Sequence, residues 1–227
     1  MEFKIEKTEV YGLSKSVIAS GNAMRTEMDR NDTSIFIIDE YTDEQRIEDR
    51  YEPHFKRACN LGTTKSGEGH DNFLNGIVVQ FDIYAPLYMW KQLQRYHFLD
   101  FISSQSTMHR LTKFNVSECC VDDVDELILN RYQDLLNEYN NIECQLKSTL
   151  DALEMETLIN KRHLSWRTLV ASLPSGFVLG ATMTTNYRQL KTIYNQRKNH
   201  KLDEWHKFCE WCESLPHFKE LCVRMRP

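Results

Sequence analysis

At 227 residues the chain is long enough to bury a substantial core, and its 41% hydrophobic and 27% charged residues are ordinary for a globular protein. A formal net charge of -5 argues against a protein that coats nucleic acid, but leaves room for a local basic pocket around one phosphate. Met1 to Lys7 lacks the apolar run of a secretory leader, and no window approaches the roughly 20 apolar residues of a membrane span, so the chain reads as intracellular, with no membrane partner.

Phe3 to Val10 alternates apolar and polar residues, which predicts a strand. Leu13 to Met28 predicts a helix, Arg30 to Asp32 a turn, Ser34 to Asp39 a short strand, and Asp43 to Cys59 a charged helix. Gly62 to Asn72 carries three Gly and is the clearest loop. Phe73 to Tyr84, rich in β-branched and aromatic residues, predicts a strand. Pro86 then suits the first turn of a helix that runs to about Tyr96.

Residues 97 to 118 give no clear period. Val121 to Glu156 has long helical periodicity, a helix-rich insert with Leu127, Leu129, Tyr132, Leu135, Leu136 and Tyr139 on roughly one face. A further helix is expected over Asn160 to Ala171, broken by Leu173-Pro174-Ser175-Gly176. A strand over Phe177 to Thr184 follows, with helices over Asn186 to Asn199 and Leu202 to Leu215. With only eight Gly and five Pro, flexible linkers are not expected, and the pattern is that of an α/β (α+β) chain forming a single domain.

Seven Cys in a chain without a leader suggest free thiols. Cys209 and Cys212 form a CxxC with no second pair at zinc spacing, because Cys119 and Cys120 are adjacent; a buried helical face accounts for both, and no metal site is expected.

Three segments carry groups suited to chemistry. In Gly67-Glu68-Gly69-His70-Asp71, a Gly-flanked His at a strand entrance leaves backbone open to a ligand, unless the segment is a plain surface turn. Lys91, Arg95 and His97 close a helix, where the dipole favours cations; they also suit a phosphate or a flavin edge. Asn186, Leu190, Ile193 and Arg197 follow one helical stripe. Arg197 near an apolar face needs a partner, either a nucleotide phosphate or a carboxylate such as Asp203 or Glu204.

In order and spacing these segments resemble the flavin-dependent thymidylate synthases. That family has a Gly-His turn before a strand, then Ala-Pro, then a helix bearing a Gln and the signature RHRxxSxNExSxRY. Near its C-terminus it has Leu-Pro, an Asn-x-Arg-x-Leu helix, then an Arg before a His and a Trp. Here Gly69-His70, Ala85-Pro86, Gln92 and Arg95 match the first set, with Tyr96 at the signature His and His97 at its second Arg. Leu173-Pro174, Asn186-Tyr187-Arg188-Gln189-Leu190, Arg197, His200 and Trp205 match the second. The signature's second half departs. Ser106 and Arg110 are more widely separated than its Ser and Arg, its Glu has no match, and Val170 stands where an Arg is expected four residues before Pro174.

The resemblance implies a divergent, phage-like member that acts in the cytoplasm, or in a host's cytoplasm if phage-encoded. It implies FAD-dependent methylation of dUMP to dTMP, with NADPH and methylenetetrahydrofolate as co-substrates, in a homotetramer with no nucleic-acid partner. His70, Arg95, His97, Asn186, Arg188 and His200 would hold FAD. Gln92, Ser106, Arg110 and Arg197 would hold the pyrimidine deoxynucleotide, with Arg197, Arg110 and Ser106 closest to catalysis. The departures leave open another pyrimidine nucleotide, such as dCMP, or a non-catalytic nucleotide- or flavin-binding homologue.

Overall fold

The computed structural model describes residues 1–26, 52–65 and 67–223. The expected turn at Arg30 to Asp32, the strand at Ser34 to Asp39 and the first part of the charged helix lie outside these residues. In chain order the described elements are β1 (Lys4–Tyr11), α1 (Leu13–Ala19), α2 (Glu52–Gly62), β2 (Val78–Pro86), α3 (Leu87–Leu93), β3 (Asp100–Ser104), α4 (Thr107–Arg110), α5 (Val116–Cys119), α6 (Glu126–Ser148), α7 (Ala152–Ala171), β4 (Val178–Asn186), α8 (Tyr187–Arg197), α9 (Asp203–Ser214) and α10 (Phe218–Cys222). Four strands form an antiparallel sheet in the order β1-β2-β4-β3, so the fold is mixed α and β as the sequence pattern predicts. β2 and β4 sit at its centre, and along β2 the side chains of Val79, Phe81, Ile83 and Ala85 are buried while the residues between them are half-buried. That period of two is the signature of a strand covered better on one face than the other.

The chain divides into two compact units, and the division falls within the strands. The first comprises Met1–Lys4, Tyr84–Gln92 and Ser103–Ala181. Its core gathers Leu111, Val116, Cys120, Tyr132, Leu135, Leu136, Leu169 and Phe177 around the hairpin of α6 and α7. The Tyr132 hydroxyl donates to the Leu169 carbonyl at 3.2 Å, and burial pushes its pKa up to about 12. The helix-rich stretch expected from Val121 to Glu156 holds α6 and the first turn of α7, and the helix expected over Asn160 to Ala171 already begins at Ala152. Asp125 caps α6 by accepting from the Leu127 amide at 2.8 Å. Thr149 ends it in extended backbone, and Asp151 caps α7 by accepting from the Glu154 amide at 2.8 Å. Short polar side chains that compete for backbone donors stop and restart the helix without Pro or Gly.

The second unit comprises Ile5–Ile83, Leu93–Ile102 and Thr182–Pro227. Its core is aromatic: Trp205, Tyr187, Phe81, Phe208 and Phe218 are almost wholly buried, and the Phe81 and Trp211 rings lie 4.5 Å apart. α2 and α10 meet closely at Gly62, where a Cβ would collide with the Leu221 carbonyl oxygen. Phe73 to Gly76, expected as the start of a strand, lies instead in a 3-10 turn over Asn72–Gly76. Its Asn and Gly outweigh the β propensity of Phe73. The helix after Pro86 ends at Leu93 rather than Tyr96, and Pro86 closes β2 instead of opening the helix.

Candidate functional site

The chemistry-bearing residues of the second unit collect along one face of α8. The opposite face buries Tyr187, Leu190, Ile193 and Tyr194. Asn186 starts the helix, its Oδ1 accepting from the Gln189 amide at 2.9 Å, which leaves the side-chain amide nitrogen to point elsewhere. Arg188, Gln189, Thr192 and Gln196 then follow at helical spacing along the outer face.

Two cavities open along this stripe. One, of about 230 Å³, is lined by Gly67, Asp71, Asn75, Phe98, Asn186, Arg188, Gln189 and Thr192. The other, of about 380 Å³, is lined by Arg95, Tyr96, His97, Gln189, Thr192, Gln196 and Arg197. Gln189 and Thr192 belong to both, so the cavities adjoin.

The first cavity rests on an ion triad of two buried members, Asp71 and Lys191, and the half-buried Arg188. Asp71, 1% exposed, accepts from the Lys191 Nζ at 2.7 Å and from the Arg188 Nε at 3.2 Å. Lys191 is 3% exposed and also donates to the Thr64 carbonyl at 2.7 Å. The triad therefore ties the loop before β2 to α8. His70 stands exposed on that loop after Gly69, whose φ of 82° favours glycine. Thr185, at the end of β4, holds the neighbouring segment by donating to the Phe98 carbonyl at 2.6 Å.

The second cavity is built around Arg197. Its Nε donates to the Tyr96 hydroxyl at 2.7 Å, and its guanidinium lies 4.6 Å from the Trp205 ring centroid and 5.6 Å from that of Tyr96. Among the described residues no carboxylate pairs with it: Asp203, one of the acids that were an alternative to a phosphate, lies 91% exposed beside His206. Arg95 and His97 add cationic capacity from the exposed segment after α3. His200 packs edge-on to Trp205 at 6.1 Å and accepts from the Leu202 amide at Nδ1. Burial, then the nearby Arg197, lowers its pKa from the ordinary histidine value, which favours the uncharged ring. A lining with two arginines and a histidine and no acid suits an anion held by directed hydrogen bonds.

Of the residues singled out from sequence, Arg95, His97, Asn186, Arg188 and Arg197 line these cavities, and His70 and His200 flank them in sequence. Gln92, Ser106 and Arg110 belong to the first unit. There Ser106 caps α4, its Oγ accepting from the His109 amide at 3.3 Å, and Arg110 is exposed at that helix's end. Lys191, Tyr96, Gln189 and Thr192 were not expected at a site. Tyr96 had a signal in its place within the signature, whereas Lys191 had none. Cys209 and Cys212 lie buried on α9, and among the described residues no group of His, Cys, Asp and Glu is arranged to hold a metal ion.

The sequence matches no protein-family model and no curated protein. Solved structures do match it. A flavin-dependent thymidylate synthase ThyX of Helicobacter pylori, complexed with FAD and dUMP, is 14% identical with a TM-score of 0.59, and the match covers 99% of this chain and 100% of that one. Another structure of the Helicobacter pylori enzyme, also with FAD and dUMP, gives 13% identity, a TM-score of 0.60 and the same coverage. A UMP/dUMP methylase, PolB, of Streptomyces cacaoi, bound with 5-Br dUMP, is 13% identical with a TM-score of 0.57, covering 97% of this chain and 91% of that one. Along nearly its whole length, the chain has the fold of the flavin-dependent thymidylate synthases.

Proposed function

We propose that the protein is a flavin-dependent enzyme that methylates dUMP at C5 to give dTMP. The observation that carries this reading is the acid-free cationic cavity of Arg95, His97 and Arg197 beside the Asn186 and Arg188 cavity, on a fold shared with enzymes solved with FAD and dUMP. In this reading Arg197 holds the nucleotide phosphate. Its Nε is committed to Tyr96 and its terminal Nη groups remain for a bidentate contact.

The donor set fits FAD in the same terms. Arg95, His97, Arg188 and the Asn186 amide offer charge and hydrogen bonds to a pyrophosphate and an isoalloxazine edge, with His70 and His200 nearby in sequence. When bound, FAD would supply hydride after reduction by NADPH, while methylenetetrahydrofolate supplies the one-carbon unit. This chain's part is to bind, orient and exclude water. At about 230 and 380 Å³ the cavities lie below and at the lower end of the roughly 300–1,000 Å³ of a typical ligand pocket, which is compatible with a site shared between copies in a homotetramer. The roles of Gln92, Ser106 and Arg110 toward the nucleotide, and of Arg110 and Arg197 in stabilising charge on the uracil ring, belong to the same proposal.

The test is the absorption spectrum of protein purified without added cofactor, then binding of dUMP and dCMP. A yellow protein that releases FAD and prefers dUMP is expected. Arg197→Ala should weaken dUMP by roughly tenfold or more, the worth of charge-assisted hydrogen bonds, while sparing FAD. A colourless protein that takes up no added FAD refutes the reading. Preference for dCMP moves the reaction to that nucleotide.

A further inference from the structure

Where the resembling family carries a histidine, this chain carries Tyr96, and its hydroxyl is the sole hydrogen-bond partner of the Arg197 side chain among the described residues. We propose that Tyr96 is a positioning residue that fixes which edge of Arg197 meets the ligand. The inference rests on the reading that this cavity takes a nucleotide phosphate.

A phenol has one hydrogen and two lone pairs. The Tyr96 hydroxyl donates its hydrogen to Gln196 Oε1 at 3.1 Å, so toward Arg197 the oxygen can only accept. The Arg197 Nε–H fills that lone pair at 2.7 Å. A guanidinium grips an oxyanion bidentately either side-on, through Nε and one Nη, or end-on, through both Nη groups. With Nε occupied, the end-on edge remains. Trp205, fully buried, supplies the flat surface on which the guanidinium rests at 4.6 Å, and Tyr96 meets Trp205 edge-to-face at 6.3 Å. Rotation of the guanidinium about its long axis is thereby blocked on two sides, by a hydrogen bond and by a ring face. Gln196 is the outer link of this relay and lines the cavity itself.

The experiment is a double-mutant cycle on the full-length protein, with Tyr96→Phe and Arg197→Lys separately and together. Calorimetry with dUMP, dCMP and inorganic phosphate gives the affinities, and bound flavin and the thermal midpoint serve as controls. Tyr96→Phe keeps the ring and removes only the hydroxyl. Lysine has no Nε–H edge to be oriented, so the hydroxyl should matter only beside arginine. The expected result is about a tenfold weaker dUMP affinity when Tyr96→Phe is made in the wild-type chain. In the Arg197→Lys variant the same change should alter affinity by less than about twofold, with flavin content unchanged. Unchanged affinity for Tyr96→Phe overturns the proposal. An equal loss in both backgrounds also overturns it, since a direct ligand contact or a general loosening would not depend on Arg197. Wild-type protein that binds none of the three probes overturns the nucleotide reading and this inference with it. Binding of dCMP in preference to dUMP revises the reaction alone, and the cycle run with dCMP then decides on Tyr96.

Discussion

Replacing Asp71 with Asn should cost far more than replacing its partner Lys191 with Met. The Asp71 carboxylate sits 2.7 Å from Lys191 Nζ and 3.2 Å from Arg188 Nε, with Asp71 and Lys191 both almost sealed from water. At an effective dielectric constant of about 20 the closer pair is worth roughly 6 kcal/mol of Coulomb energy, largely cancelled by desolvation of the two ions. The net value of the pair is therefore small, but the cost of breaking it from one side is not. Asp71→Asn leaves the Lys191 ammonium buried with the Thr64 carbonyl as its one strong acceptor, and a loss of about 3–5 kcal/mol is expected. Lys191→Met leaves the carboxylate still compensated by Arg188, whose side chain is 35% exposed and able to adjust, and about 1.5–3 kcal/mol is expected. Because methionine fills the space apolarly, the double variant should be more stable than Asp71→Asn alone. Urea unfolding followed by both fluorescence and circular dichroism measures this, the two probes testing whether one transition describes a chain of two compact units. Lys191→Met as damaging as Asp71→Asn, or a double variant less stable than Asp71→Asn, would refute the reasoning.

Two other outcomes can be checked directly. Burial pushes the Cys59, Cys120 and Cys209 thiols up to about 11, raises that of Cys119 and takes Cys212 and Cys222 well above the ordinary value; Cys144 is exposed whereas Cys59 and Cys119 are half-buried, so an aromatic disulfide reagent at pH 8 should find one thiol faster than the rest that Cys144→Ser removes; an equally fast thiol persisting in that variant contradicts this ordering. Glu213 accepts from Tyr194 at 2.6 Å and from Lys219 at 3.1 Å, which hold its pKa below the ordinary 4.5. The unfolded chain thus takes up the proton first, and the stabilisation is complete above the ordinary value and is lost as pH falls below it through the lowered value of the folded chain. The gap in thermal midpoint between wild type and Glu213→Gln should be constant at neutral pH and narrow as the pH is taken progressively below the ordinary 4.5, and a gap that does not narrow on acidification counts against the assignment.

What the sequence made legible is what depends on neighbours along the chain. The Asn186 cap and the apolar stripe through Leu190 and Ile193 locate α8 within a residue or two, and the alternation of β2 and the Trp-rich face of α9 are equally local signals. Where a local signal was outweighed by another local signal, the reading failed: Asn72 and Gly76 turn a β-rich stretch into a 3-10 turn, and Asp151 restarts a helix that periodicity alone would run straight through. The contacts that make the site were not legible, because they join residues far apart in sequence. Lys191 reads as a solvated helix lysine until Asp71, 120 positions away, is brought beneath it. Tyr96 and Arg197 meet across 101 positions. The resemblance could mark Arg197 as a phosphate ligand without indicating that an aromatic pair, rather than an acid, would hold it.

Gln189 and Thr192 face both cavities, so the two cavities have one wall in common. A molecule seated in one touches side chains that a molecule in the other must also meet, and any rotamer that the first selects is inherited by the second. Such a shared wall makes the two occupancies a thermodynamically linked pair. Whatever factor the first occupant imposes on the affinity of the second, the second imposes the same factor in return, in whichever order they arrive.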